Sequence, residues 1–311
     1  MAHPTLAPHR PTIPVNNSAF AIVTVPPDGA GQLEQLGTKP KFWFDSNTKL
    51  FKAGRDGTGE NWAERVCAEI ASLLGLPHAT YELAVWKETR GVVTPTFVPK
   101  GARLVHGNEV IGRVVSGSEI DFRQYRRHLH TVSRIYGLLT LIDISPPLGW
   151  TQPEEVKDVF GVFSGYLLLD ALVGNQDRHE ENWAILVHDG DLFLAPTFDH
   201  ASSLGRNESD TRRLELMSSP EGMIRYVDRA RSLVYSSNQV RLGTHEAFGE
   251  CLRLAVRGSS YWLAQLAMIS DDQFRSVIER VPRDWISEPA RQFALKMILA
   301  NRDRLLHERK P

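Results

Sequence analysis

Residues 174–182 read Gly174-Asn175-Gln176-Asp177-Arg178-His179-Glu180-Glu181-Asn182, and this stretch decides how the chain is read. An apolar run, Tyr166 to Val173, leads into it. Two short apolar runs follow, Trp183–His188 and Leu192–Pro196, joined by Asp189-Gly190. Asp-Gly between such runs is a strong hairpin signal. The polar side chains therefore stand where a loop leaves a packed helix. Beyond the hairpin comes Ala195-Pro196-Thr197-Phe198-Asp199-His200. An Asp, an Asn five residues on and a second Asp across a short hairpin suit phosphoryl transfer. That chemistry needs a carboxylate to take the proton of the attacking hydroxyl and hard oxygen ligands to hold magnesium against the phosphates. The expected roles are Asp177 as base, with Asn182 and Asp199 as metal ligands. The competing reading is a solvated, self-paired charged loop. Placement between an apolar helix and a hairpin ending at Phe198-Asp199 favours the chemical one.

The same chemistry needs a cation on the phosphates, and the first third of the chain supplies candidates. Ala19–Val25 reads as a strand. Lys41–Phe44 and Thr48–Lys52 read as two strands joined by the turn residues Asp45-Ser46-Asn47. Asn61–Leu74 reads as a helix, with Trp62, Val66, Ile70 and Leu73 at helical spacing and Gly75 and Pro77 as the stop. Ala79–Trp86 and Gly91–Val98 read as strands. Pro95 and Pro99 mark the second as an edge strand or one that ends early. Lys52 ends a strand and Glu64 lies on the helix. A strand lysine held by a helix glutamate is the usual clamp on the α- and β-phosphates. Spacing alone separates neither Lys52 from Lys49 nor Glu64 from Glu60.

Beyond about residue 117 the pattern turns helical. The candidates are Phe122–Leu141, Glu154–Val173, Glu221–Ser232, Thr244–Leu254, Tyr261–Ala267, Asp271–Arg280 and Pro289–Leu306. One hairpin interrupts them. The expectation is an α+β, two-lobed, protein-kinase-like fold. Residues 1–18 form a proline-rich leader, 19–116 a small β-rich lobe with one helix, and 117–311 a larger helical lobe. Ligand clefts favour such a junction. There Phe97 and Val98 would receive adenine through backbone groups. ATP and Mg2+ are the expected cofactors.

Composition excludes several alternatives. The chain has 311 residues, a formal charge of −1 and 42% hydrophobic residues. No excess of Lys or Arg points to nucleic acid or an anionic membrane. No stretch approaches the ~20 apolar residues of a membrane span, and the N-terminus lacks the layout of a secretory signal. Cys67 and Cys251 show neither metal spacing nor a disulfide framework. The expectation is a cytoplasmic protein with buried structural thiols. Gly54 to Gly59 lacks the Lys-Ser/Thr ending of a phosphate loop and reads as a linker. His179-Glu180-Glu181 has no second His four residues on, so zinc is not expected. His179 should brace the loop, and Arg178 should pair with a carboxylate or phosphate.

At these residues the sequence resembles the HipA-like serine/threonine kinase family. "LLLDALVGNQDRHEENWAIL" is similar to its catalytic-loop signature, Gly-Asn-x-Asp-Arg-His-x-x-Asn. "LAPTFDHASSLG" is similar to its magnesium-binding segment, with Phe198 in place of the usual Tyr. "AERVCAEIASLLGLPHA" is similar to its small-lobe helix, which selects Glu64 and, by position, Lys52. "LGTKPKFWF" is similar to its phosphate-covering turn, which would set Gly37, Thr38, Lys39 and Lys41 over the nucleotide. The resemblance extends through the closing helices, to about residue 306. It implies a Ser/Thr protein kinase, autophosphorylation, a toxin or effector role, and an antitoxin or other regulatory protein as partner. Only 36 residues precede Gly37, so it implies a short, single-kinase-domain member. The serine that the family autophosphorylates has no counterpart in Gln32–Leu36, where Thr38 is the nearby hydroxyl. Asp-Arg-His-x-x-Asn also resembles phosphoinositide kinases, which keeps a lipid or small-molecule acceptor in view. A non-catalytic nucleotide-binding module is the third alternative; the intact set of Lys52, Glu64, Asp177, Asn182 and Asp199 argues against it.

Overall fold

The computed structural model describes residues 18–29, 40–116 and 127–307. Gly37, Thr38 and Lys39 lie outside the described residues, as do positions 1–17 of the expected leader.

Five strands form the first sheet: β1 (Ile22–Val25), β2 (Lys41–Phe44), β3 (Lys49–Ala53), β4 (Glu82–Trp86) and β5 (Thr89–Pro95). Their order is β1-β4-β5-β3-β2, with β1 parallel to β4 and the other pairs antiparallel. The turn between β2 and β3 places Asp45, Ser46 and Asn47 at φ 52, 54 and 62. Asp and Asn tolerate this left-handed region better than most residues. Alternation along β3 sends Phe51 to one face and Lys52 to the other. Phe51 and Phe42 are buried together and pack against the half-buried Trp86. Lys52 turns toward α1 (Glu60–Leu74). The close fit of β3 and β5 requires Gly91, because a Cβ there would sit 2.3 Å from the Lys52 carbonyl oxygen. β5 occupies the centre of the sheet and not its edge. It ends at Pro95, where a ladder N–H is no longer available.

A second sheet, β6-β7-β8, joins β6 (Arg103–His106) to the hairpin of β7 (Ala184–His188) and β8 (Asp191–Leu194). β6 thus pairs with the second lobe, and the sheets divide before residue 103, not at 116. α2 (Gly107–Ser116) follows β6, and α3 (Val132–Leu141) occupies part of the helix expected over 122–141. Positions 122–126 of that expected helix lie outside the described residues.

The second lobe is built around α4 (Val159–Val173), whose fifteen residues are all buried. Asp158 caps its start by accepting from the Gly161 N–H at 2.6 Å, and Gly174 ends it at φ 62. Around it stand α5 (Asp210–Met217), α6 (Pro220–Asp228), the hairpin of β9 (Arg231–Tyr235) and β10 (Arg241–Gly243), α7 (Thr244–Leu254), α8 (Val256–Ala267), α9 (Asp271–Glu279) and α10 (Glu288–His307). The expected helix 221–232 ends at Asp228. Its last residues enter β9, whose buried positions, Ser232 and Val234, alternate with period two. Among the described residues no helix is long and apolar enough to cross a membrane. Cys67 and Cys251 are buried, and burial pushes both thiols up.

The lobes are clasped where β1 begins. The buried Phe20 ring lies between two guanidinium groups, Arg65 of α1 at 4.2 Å and Arg280 beyond α9 at 4.3 Å. Glu69 accepts from both arginines, and the Phe20 N–H donates to the Arg280 carbonyl at 2.7 Å. Nearby, Arg90 pairs with Asp284 at 2.8 Å. Phe20→Ala removes the ring and leaves two guanidiniums facing a void. Urea unfolding should show a loss of about 3 kcal/mol. A change within about 0.5 kcal/mol, the level of an ordinary surface substitution, would mean that the clasp contributes nothing.

Candidate active site

The residues from Gly174 to Asp199 fall where α4 ends and where the segment after β8 meets α1. Asp170, the one carboxylate of α4, is buried near its C-terminus. Both of its oxygens accept from Arg178, at 2.7 and 2.9 Å, and Asn175 adds a third bond at 2.8 Å. Arg178 is itself fully buried. Its other N–H groups reach the Asn182 and Phe198 carbonyls, Thr197 Oγ1 at 3.0 Å and His200 Nε2 at 3.0 Å. Burial would push the guanidinium down, but the Asp170 carboxylate overturns that and holds it above its usual value. Burial and the Arg178 charge push His200 well below the usual histidine range, so its Nε2 stays an acceptor. One ion pair therefore joins the helix end, the loop and the segment after the hairpin.

The loop presents its polar atoms from this support. The Asp177 N–H donates to Asn175 Oδ1 at 3.1 Å, and its carbonyl accepts from Asn182 Nδ2 at 2.6 Å. The Asn182 amide is anchored by its nitrogen, and its Oδ1 is an oxygen donor of the kind that Mg2+ takes. The Asp177 carboxylate is half-buried and accepts from Ser202 Oγ at 3.3 Å. His179 Nδ1 accepts from the Glu181 N–H at 3.1 Å, so it braces the loop as anticipated.

The opposite wall comes from the first lobe. Lys52 Nζ lies 3.3 Å from Glu64 Oε2 and 2.9 Å from Asp199 Oδ1. Asp199 adopts a left-handed conformation at φ 62. Two hydrogen bonds secure it: its N–H donates to Tyr81 Oη at 3.2 Å, and the His200 N–H donates to Glu64 Oε1 at 2.7 Å. Burial alone would push the Lys52 ammonium down, yet Asp199 and Glu64 hold it well above the usual lysine value. Burial would likewise push Asp199 up, and the Lys52 charge outweighs it, bringing the carboxyl to about 2. Burial pushes Glu64 up, and Lys52 offsets part of that. The Asp199 side chain is 40% exposed, so water screens part of its pairing with Lys52.

The ambiguities of the sequence resolve here. Lys49 is exposed and pairs with Asp45 at 2.8 Å, away from the site. Glu60 is buried against Arg206 and Arg55 and does not reach Lys52. Lys41 stands opposite Lys52 in the β2–β3 register, which places both side chains on one face of the sheet. Phe97 stacks on Phe198 with centroids 5.6 Å apart, beside Ala68, Ala79 and Val92. The Val98 N–H donates to Thr96 Oγ1 at 3.1 Å. Gly54–Gly59 connects β3 to α1 and is tied to the second lobe, the Gly59 N–H donating to the Arg206 carbonyl at 3.0 Å.

Among the described residues no group of three or more His, Cys, Asp or Glu converges as a metal cage. Mg2+ does not require one: it is commonly held by one or two protein carboxylates together with substrate phosphates and water. Asp199 with Asn182 Oδ1 fits that donor pattern, and Lys52 fits a phosphate. The sequence reading missed Asp170, Tyr81, His200 and Ser202. Asp170 had a signal, a lone acid within an otherwise apolar helix.

The support carries testable energetics. Asp170→Asn leaves the Arg178 charge buried without its partner and should cost about 3–5 kcal/mol in denaturant unfolding. A second test concerns His130, which is fully buried. Its Nε2 accepts from Trp183 Nε1 at 3.0 Å and its Nδ1–H donates to the Leu233 carbonyl at 2.9 Å. Burial lowers its pKa to about 4. In the unfolded chain it would protonate near the usual value of about 6.5. The unfolded state therefore gains a proton first. Stability is complete above about pH 6.5 and falls as pH drops toward 4, by roughly 3 kcal/mol from this residue. Unfolding free energies flat between pH 7 and 4.5 would contradict the assignment.

By sequence no family model matches the chain, and no curated protein matches it. By structure it is similar to the crystal structure of a Helicobacter pylori proinflammatory kinase, CtkA. The TM-score is 0.69 and the identity 18%, covering 93% of this chain and 98% of that one. It is also similar to a chain of the Shewanella oneidensis MR-1 toxin–antitoxin complex of HipA, HipB and operator DNA. There the TM-score is 0.51 and the identity 14%, covering 90% of this chain and 66% of that one. The expected architecture is thus the observed one: the chain has the two-lobed α+β fold that it shares with these HipA-like kinase structures.

Proposed function

We propose that the chain is an ATP- and Mg2+-dependent serine/threonine protein kinase of the HipA-like type. The observation that carries this reading is the Lys52 ammonium, set between Glu64 of α1 and Asp199 of the second lobe at 3.3 and 2.9 Å. A lysine held by a helix carboxylate and facing a metal-ligand carboxylate is the arrangement that phosphoryl transfer uses. Lys52 would pair with the nucleotide phosphates. Asp199 and Asn182 would hold the metal, and the wall of Phe97 and Val92 would flank the base. When bound, Mg2+–ATP would supply the γ-phosphoryl group for transfer to the acceptor oxygen, with ADP as the leaving group. Asp177 takes the acceptor proton, and Ser202 orients its carboxylate. A regulatory protein partner belongs to the same proposal, in keeping with the HipB that accompanies HipA in the Shewanella complex.

Asp177→Asn should retain the rise in Tm produced by Mg2+–ATP and lose γ-phosphate transfer by roughly 10²- to 10⁴-fold. Asp199→Asn should lose the magnesium dependence of that Tm rise. Transfer by the Asp177 variant at the wild-type rate would remove the base from the mechanism. A wild-type Tm unmoved by Mg2+–ATP would remove the nucleotide.

A further inference from the structure

The surface beside Asp177 is a groove. A cavity of about 440 Å³ is lined by Asp177, Gln176, Ser202, Arg55, Arg206 and Glu208, among others. A second, of about 260 Å³, shares Gly174, Gln176, Glu208 and Tyr226 with the first and adds Arg212 and Arg229. The two form one continuous trough from the candidate base to the end of α6. Together they offer more room than a lone hydroxyl requires.

The charges along the trough are unequal. Arg55 and Arg206 both contact the buried Glu60 carboxylate. Arg212 pairs with Glu215 at 3.0 Å, but both are at least half exposed, and such a pair is worth little. Arg229 is exposed and has no ion pair among the described residues. Close to it, Arg231 donates to the Asp228 carbonyl and Arg241 to the Ser232 carbonyl. The Glu246 carboxylate stands beside the Arg231 guanidinium, so the open charge on this rim is that of Arg229. The acids facing this surface are Asp177 and Glu208. Asp177 belongs to the chemistry. Glu208 lies against the Tyr226 hydroxyl, and burial with this carboxylate pushes the phenol up, so it remains a protonated donor.

We infer that the trough binds the acceptor as an extended peptide, with carboxylate side chains flanking the hydroxyl on the side of Arg212 and Arg229. The inference rests on the kinase reading, since it names the substrate class of that same site. Asp177 receives the serine or threonine, and the arginines read acidic residues beyond it. Exposed rim charges of this kind set specificity and encounter rate. A peptide bearing lysines would meet like charge and lose affinity.

The test uses three fluorescent nonapeptides with a central serine, flanked by Glu, Gln or Lys, and fluorescence anisotropy on the full chain. The Glu peptide should bind at least about tenfold tighter than the Lys peptide, with an advantage that shrinks between about 0.05 and 0.15 M salt. Arg212→Ala with Arg229→Ala should abolish most of that preference, and Arg229→Glu should reverse it. Both positions are exposed, and an unchanged Tm certifies folding of each variant. Equal binding of the three peptides, or tighter binding of the Lys peptide, overturns the inference. The same peptides with radiolabelled ATP separate the two readings. Transfer without charge preference keeps the kinase and removes the acidic groove. Charge-selective binding without transfer or ATP turnover keeps an acidic-peptide site and removes the kinase.

Discussion

The ion pair between Asp170 and Arg178 is the constraint on which the site depends. Both side chains are buried, so neither charge could stand alone. Their separation of 2.7 Å and the bidentate contact meet the geometry that such a pair demands. The remaining N–H groups of the guanidinium are spent on the Asn182 carbonyl, the Phe198 carbonyl, Thr197 and His200. Three pieces of chain, the end of α4, the loop and the segment after the hairpin, are thereby fixed to one planar cation. An aliphatic pair of equal volume could fill the space as well. It could not satisfy those carbonyls or set the pitch of the loop.

The first lobe supplies the other half of the arrangement through a single helix. α1 carries Glu64 toward the site and Arg65 toward Phe20 on the next residue. The same helix therefore positions Lys52 and anchors the lobe to α9. Gly59, Glu60 and Arg206 add a second tether at its start. Such a helix is held by contacts from both lobes, and its carboxylate needs no adjustment to reach the lysine.

The motif around Asp177 was legible because the chemistry compresses it into 26 residues, from Gly174 to Asp199, flanked by unmistakable helix and hairpin signals. The choice of Lys52 over Lys49 was not legible locally. The two lie on opposite faces of β3, and which face meets α1 is decided by the burial of Phe51 and by Gly91 on a strand forty residues away. β6 escaped for the same reason. Arg103–His106 is short and half-polar and becomes a strand only by pairing with Ala184–Val187. The β9–β10 hairpin was masked by the helical run before it, although Arg231–Tyr235 alternates as a strand should. Asp199 was found as a residue, but its left-handed backbone follows from Tyr81 and Glu64 gripping consecutive N–H groups, which no spacing encodes.

The clasp at Phe20 has a mechanical meaning. β1 runs parallel to β4, so a pull on the chain ahead of Ser18 loads the β1–β4 bonds along the strand, in shear, and not one after another as in unzipping. Before that load reaches the sheet it must draw an aromatic ring out from between two cations. One of those cations is rooted in the helix that bears Glu64. Tension on the segment ahead of Ser18 is therefore delivered to the helix whose Glu64 holds Lys52.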